Sequence, residues 1–350
     1  MHVRPLLSLA AAGVLSALSA MGLRAQAPAQ APQVTVSGVS YLQYVYQLKD
    51  TAGHQNNFDV TRAYINVLGR FAGGVGTRIT ADIQRVGAGD NSLRYRLKYA
   101  YVTYTPTGSA LTYKLGQIHT PLIDWEEALW DYRMQGQMAM ERGGFVSSSD
   151  FGLGADGKWG ADKVNMQVGI YNGEGYSGGA GDKRKDFMGR VSFRVMDTND
   201  SSRVGGLRVT AYGQYGKPTS GGQRSRLLGM LSYRSKQITL AGEYAITQDS
   251  TTGPVPAPVA KSKGAVASVF GVYHFSNSKA ALIARVDLTD PNTDTGNNRQ
   301  TRVIGGASYQ LSPNLRLLAD VDMLSYQGGT PTPALEATRS QAYFQAQFTF

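Results

Sequence analysis

The chain has 350 residues, with 35 Lys and Arg against 25 Asp and Glu, a formal charge of +10 and no cysteine. The missing cysteines exclude a disulfide scaffold and any thiolate metal site, and the basic balance favours anionic partners. With 42 Gly and 20 Tyr but only 17% charged residues, the composition is that of strands and turns.

At the start of the chain Met1 to Arg4 is positive, and Leu6 to Leu23 is uncharged and rich in Ala, Leu and Ser. A small-residue site follows at Ala25, so residues 1–25 read as a secretory signal peptide. As a membrane anchor, an 18-residue stretch of this kind is marginal. Cleavage removes Arg4 and Arg24 and lowers the charge to +8. Residues 26–32, with Pro28 and Pro32, form a flexible lead-in.

From residue 33 onward no helical period is found, and period-two alternation recurs, which predicts strands. Sixteen segments follow in chain order: about 33–47, 58–71, 75–86, 93–105, 111–118, 150–159, 163–171, 187–196, 204–215, 225–234, 237–248, 265–275, 280–289, 301–311, 314–325 and 340–350. In 93–105 the apolar set is Leu93, Tyr95, Leu97, Tyr99 and Tyr101, with Arg94, Arg96 and Lys98 on the other face. In 163–171 Val164, Met166, Val168 and Ile170 oppose Asn165 and Gln167. The closing stretch AYFQAQFTF makes an apolar ladder of Ala342, Phe344, Ala346, Phe348 and Phe350.

The links alternate in length, from AGG at 72–74 or SP at 312–313 to the long stretch after Ile118. Short turns on one rim, long loops on the other and an even strand number describe an all-β fold: a transmembrane antiparallel β-barrel of about sixteen strands over residues 33–350. Its turns would be periplasmic, its loops extracellular and its location the outer membrane. A soluble sandwich or propeller would point its apolar face at a core. Sixteen strands instead enclose a lumen too wide for side chains to fill, so the apolar face meets lipid. Tyr41, Tyr44, Tyr46, Tyr99, Tyr101, Tyr104, Tyr171, Tyr215, Tyr233, Tyr273 and Tyr309 fall near segment ends, as interfacial girdles do.

The stretch YAYVTYTPTGSALTYKLGQIHTPL at 99–122, followed by MERGGF, DFGLGADGKW and VGIYNGEG, resembles the phosphate-selective porin O/P family. The resemblance spans roughly 33–350 and implies sixteen strands, a homotrimer and a third loop folded into the pore. Phe350 resembles the assembly signal of outer-membrane porins, which implies recognition by the outer-membrane assembly machinery.

Charged residues opposite the apolar phase include sixteen basic positions: Arg62, Arg70, Arg78, Arg94, Arg96, Lys98, Lys114, Lys158, Arg190, Arg194, Arg208, Arg226, Arg234, Arg285, Arg302 and Arg316. Six are acidic: Asp82, Asp156, Glu243, Asp287, Asp320 and Asp322. Guanidinium forks suit phosphate and carboxylate, and rings of Arg or Lys select anions. Pore-lining, anion-binding roles are therefore expected of Arg62, Arg70, Arg78, Arg94, Arg96, Lys98, Lys114, Arg190 and Arg194. The alternative is that these cations balance loop carboxylates and stiffen the wall. The segments near 226–234 and 265–275 are apolar on both faces, which leaves their phase open or points to a neighbouring protomer.

The long link at 119–150 carries Asp124, Glu126, Glu127, Asp131 and Glu141 beside Arg133 and Arg142. Inserted into the lumen it would set carboxylates across from the arginines; the alternative is a lid on the rim. Catalysis is not expected, because His119 and His274 have no evident partners. No phosphate-cradling glycine loop or basic-aromatic cluster points to a nucleotide or nucleic acid, and no cofactor or metal is implied. The reading is a passive porin for small hydrophilic solutes, anion-preferring, with phosphate or similar ions as solutes. A general non-selective porin or a closed structural or adhesive barrel is the alternative.

Overall fold

The computed structural model describes residues 31–86, 92–178, 181–218, 222–251 and 260–350. The expected signal peptide at 1–25 and all of the lead-in but Ala31 and Pro32 lie outside the described residues. Sixteen strands are found among the described residues: β1 (Gln33–Gln47), β2 (Asn56–Arg70), β3 (Val75–Arg85), β4 (Leu93–Tyr104), β5 (Leu111–His119), β6 (Ser149–Trp159), β7 (Val164–Tyr171) and β8 (Asp186–Met196) in the first half. The second half has β9 (Gly206–Gly216), β10 (Gln223–Arg234), β11 (Ile238–Thr251), β12 (Ala260–His274), β13 (Ala280–Asp290), β14 (Gln300–Ser312), β15 (Leu315–Tyr326) and β16 (Ser340–Thr349). Each strand pairs antiparallel with its sequence neighbours, and β16 returns to β1, so the sheet is a closed barrel. Closure removes every unpaired edge, the condition for a sheet in lipid. No helix among the described residues is long and apolar enough to cross a membrane.

The pleat sorts the side chains. Leu227, Leu231, Leu240, Val269 and Phe344 are exposed on the outside, while Asn165, Gln167, Thr210 and Ser268 point inward and are buried. Apolar-out with polar-in is the inverse of a soluble sandwich. β11 and β12 run further toward the long-link rim than the alternation predicts, to Thr251 and from Ala260.

Four of the expected girdle tyrosines face inward. Tyr99 and Tyr101 switch sides because β4 carries a bulge: Thr80 pairs with Tyr99 and Ala81 with Leu97, so Lys98 has no opposite number. The extra residue flips the phase, and Leu93, Tyr95 and Leu97 stay outside while Tyr99 is buried in the lumen. Tyr41 stacks on Arg62, and the buried Tyr171 hydroxyl donates to the His119 carbonyl. Tyr104, Tyr215, Tyr273 and Tyr309 are exposed on the outside.

The barrel seam is latched by Phe350. Its N–H donates to the Gly38 carbonyl and the Gly38 N–H donates back. The Phe350 ring lies where a Gly38 side chain would be: an added Cβ would sit 2.1 Å from Cε1. Glycine on β1 therefore makes room for the aromatic cover, as in aromatic rescue of sheet glycines.

Two outcomes follow from this arrangement. Val168→Arg, on the outward face of β7, should cost about 2–4 kcal/mol in lipid-reconstituted urea unfolding, the penalty for a cation at mid-bilayer; equal stability would mean the faces are reversed. Phe350→Ala should lower the fraction of chain that migrates as folded barrel on unheated gels, and an unchanged fraction would remove the latch role.

Candidate functional site

The link between β5 and β6 runs inside the barrel. It contains two short helices, α1 (Ile123–Trp130) and α2 (Ala139–Arg142). Ile123, Trp125, Leu129 and Trp130 of α1 are fully buried, and with Met134, Met138 and Met140 they join one apolar cluster with the inward side chains Met230, Ala241, Ala245, Phe270, Val272, Ile283 and Leu318. Trp130 meets Phe270 edge-on at 5.5 Å between centroids. This accounts for the two strands that are apolar on both faces: their inner faces pack against the inserted loop.

Arginines on the wall and in one turn hold the loop by its peptide carbonyls. Arg190 Nε donates to Pro121 O at 3.1 Å, Arg203 Nη2 to Asp124 O at 2.7 Å and Arg234 Nη1 to Ala128 O at 2.6 Å. Arg316 Nη1 donates to Asp131 O at 2.8 Å, Arg285 Nη1 to Gln137 O at 3.0 Å and Arg226 Nε to Phe145 O at 3.0 Å. Carbonyls removed from water need such partners. The Trp125 ring is flanked by Arg190 at 4.0 Å, Arg208 at 5.5 Å and Arg203 at 5.8 Å.

Six of the seven charged loop residues divide into two sets, and Glu126 stands apart from both. Asp124 pairs with Arg203 at 2.6 Å, Asp131 with Arg316 at 3.3 Å and Arg142 with Asp322 at 3.1 Å, so these three tether the loop to the wall. Asp131 also caps α1 in the left-handed region at φ 57°. Glu126 is fully buried beside Glu243 and faces no opening. The other set is a triad: Arg133 donates from Nε to Glu127 at 2.5 Å and from Nη2 to Glu141 at 3.1 Å. Burial and the neighbouring Arg62 pull the Arg133 guanidinium down, but Glu127 and Glu141 outweigh them and it ends above its ordinary value. That proximity places the triad across from the β2 wall.

On the β1–β5 wall, cations lie on tyrosine faces. Arg62 sits 4.4 Å from the Tyr64 centroid and 5.3 Å from Tyr41, and Arg78 4.6 Å from Tyr99. Arg96 and Lys98 both lie on Tyr176 of the link after β7, at 4.4 and 3.5 Å. Arg78 hydrogen-bonds Asn66, Thr80 and His119, and Arg96 bonds Gln84, Ser177 and the Tyr176 hydroxyl. Lys98 is buried and donates to Ser148. Lys114 pairs with Asp156 at 2.5 Å, whereas Arg62 has Asp82 only at 4.0 Å.

Arg70 is exposed at the short-link end of β2, and Arg94 lies near the opposite end of β4 across from Gln84. Arg190 is buried against the loop, and Arg194 pairs with Asp197 in the turn after β8 at 2.9 Å. Alternation did not identify Tyr64 or Tyr176 as partners of cations. His119, without an evident partner in the sequence, stacks on Tyr99 at 3.9 Å and lies 3.3 Å from Arg78. Glu126 did carry a legible signal, since it sits three residues from Ile123 and Leu129 on the apolar stripe of α1.

No protein-family model matches this chain, and no curated protein sequence does. Solved structures do. An anion-selective porin from Comamonas acidovorans is similar at 13% identity, covering 91% of this chain and 100% of that one, with a TM-score of 0.67. The trimer form of OmpT, an outer membrane protein of Vibrio cholerae, matches at 12% identity over 92% of this chain and 100% of that one, with a TM-score of 0.65. The outer membrane channel DcaP of Acinetobacter baumannii matches at 12% over 91% and 97%, with a TM-score of 0.61. At these identities the likeness establishes the fold: the closed antiparallel barrel of outer-membrane porins.

The loop anchor is testable in two ways. Trp130→Ala should destabilise the folded barrel by about 3–5 kcal/mol in urea unfolding, the cost of a large buried aromatic; a loss below about 1 kcal/mol would show that the loop is not packed there. Burial, and after it the Glu243 carboxylate, hold the Glu126 carboxyl well above its usual value of 4.5. A raised folded value means that its contribution is full below the unfolded pKa and declines as pH rises through the folded one. The wild-type melting temperature should therefore fall from mildly acidic to alkaline pH, and Glu126→Gln should flatten that slope; parallel slopes would exclude the role.

Proposed function

We propose that this chain is an outer-membrane channel through which small anions diffuse passively along the β1–β5 wall. The supporting observation is the unequal use of the lumen cations. The arginines Arg190, Arg226, Arg234, Arg285 and Arg316 are spent on loop carbonyls. Arg78 and Arg96 have only neutral hydrogen-bond partners among the described residues. A guanidinium stays charged in a protein, so these two carry positive potential into the lumen. Tyrosine rings cover guanidinium faces, and the terminal N–H groups not used by the neutral partners remain to bind oxyanions.

In this reading an anion entering from the long-link side meets Arg94 and Arg96, passes between Arg62 and the triad of Glu127, Arg133 and Glu141, and leaves past Lys114 and Arg70. The triad's carboxylates facing Arg62 give a field across that passage, which orients small charged solutes and discourages apolar ones. Phosphate fits the guanidinium chemistry, and the anion-selective porin among the structural neighbours supports the same sign of preference. Assembly as a homotrimer agrees with the trimer form of the OmpT neighbour. Secretion through the 1–25 segment, recognition of Phe350 by the assembly machinery and residence in the outer membrane belong to the same proposal.

The test is a planar-bilayer recording in a salt gradient. Arg62→Gln, Arg78→Gln and Arg96→Gln together should move the zero-current potential toward cation preference and weaken phosphate block of the chloride current. A triple variant that inserts, conducts and keeps both properties would rule out this wall as the route.

A further inference from the structure

A second polar cavity lies away from the β1–β5 wall, on the long-link side of the loop. It has a volume of about 300 Å³, and α2 lines it together with β13 to β16 and the link before β16. That link carries a short helix, α3 (Pro333–Thr338), whose Leu335 forms part of the lining.

Three guanidiniums converge here: Arg142 from the loop, Arg302 from β14 and Arg339 from the end of the last link. Their protein partners use only part of their donors. Arg142 and Arg302 share one carboxylate, that of Asp322, each through a single Nη at 3.1 and 2.6 Å. Arg339 gives Nε to Glu336 and Nη1 to the Leu324 carbonyl. The lining carboxylate Asp287 is already held by Arg285, at 2.8 Å from Nε and 2.7 Å from Nη2. Among the described residues, then, the cavity has guanidinium donors in excess of carboxylate acceptors. Burial first, and after it Arg302 and Arg285, pull the Arg142 guanidinium down to about 10.

The rest of the lining adds a second requirement. Thr289 and Gln300 make no side-chain hydrogen bond with another described residue, and Gln341 accepts one from the Tyr343 hydroxyl, which leaves its amide donor. Leu324 and Leu335 supply apolar surface at the edge. An occupant that satisfies all of this has a carboxylate for the arginines, several hydroxyls for the neutral polar groups and C–H faces for the leucines. Inorganic phosphate meets only the first condition, and a neutral sugar only the last two.

We infer that this cavity is a binding subsite for a small hydroxylated carboxylate of the sugar-acid type, held by Arg142, Arg302 and Arg339 at the long-link mouth of the barrel. The inference rests on the channel reading only for how the solute arrives. The loop and α3 bracket the subsite, so a bound sugar acid would wait beside the lumen rather than in the β1–β5 route.

The probe is sodium glucuronate, titrated calorimetrically into the folded barrel in detergent, with glucose and inorganic phosphate as comparisons. Wild type should bind glucuronate at least tenfold more tightly than either comparison. Arg302→Gln and Arg339→Gln should each weaken glucuronate by about tenfold, the size of one lost charge-assisted hydrogen bond. Both variants should keep wild-type migration on unheated gels and the wild-type zero-current potential in potassium chloride. Arg339 sits at the outer link, so its loss is expected to leave folding intact even if Arg302→Gln does not fold. No glucuronate binding by wild type, equal binding of glucose or of phosphate, or undiminished affinity in Arg339→Gln would each overturn the subsite. Should wild type show no anion preference in potassium chloride while glucuronate still depends on Arg339, the channel route fails and the subsite stands.

Discussion

A peptide segment of nearly thirty residues inside a barrel has to place its carbonyls somewhere, and that constraint organises this molecule. The loop after β5 makes only two short helices, so many of its carbonyls have no partner within the loop. Arginine answers this need well, because one planar fork reaches a carbonyl while its remaining donors bind a carboxylate or its face rests on a ring. Arg234 does both, giving Nη1 to Ala128 and Nε to Asp200 at 2.7 Å. Arg190 donates to Pro121 and lies on Trp125. The clasp is thus a set of arginines made tolerable in a partly dry site by aromatic faces and local acceptors.

Holding the loop this way splits the lumen into two media. Against β7 to β15 the loop buries a true apolar core, with Trp125, Trp130 and Phe270 among its members. Against β1 to β5 it presents Glu127, Arg133 and Glu141 to a polar wall. The packed side makes the polar side rigid: dense interiors transmit position and resist displacement. Gly136, in the turn between the helices, takes φ 151°, a backbone conformation that residues with a side chain rarely adopt.

The strands were legible because lipid outside and water or loop polar groups inside enforce a period of two, and nearly every boundary read from alternation lies within a few residues of the observed one. What alternation could not show were the places where the inside stopped being polar. β10 and β12 look phase-less in sequence because Leu228, Met230, Val266 and Phe270 point inward at a loop more than eighty residues earlier in the chain. Nor does spacing announce a bulge. Lys98 continues the run of Arg94 and Arg96, yet the residue after it, Tyr99, also faces inward, and only pairing with β3 reveals the extra residue.

The same limit applies to the charges. Period two groups Arg78 with Arg190, but their surroundings differ through contacts that no local pattern encodes: His119 and Asn66 for one, Pro121 and Trp125 for the other. Within α1, consecutive acidic residues diverge for a simpler reason. A helix turns about 100° per residue, so Asp124 reaches Arg203, Glu126 enters the apolar core and Glu127 meets Arg133. The charges that the loop turns toward the β2 wall therefore depend on the rotational setting of one eight-residue helix, and that setting is fixed by two tryptophans and by arginines donating to the carbonyls around them.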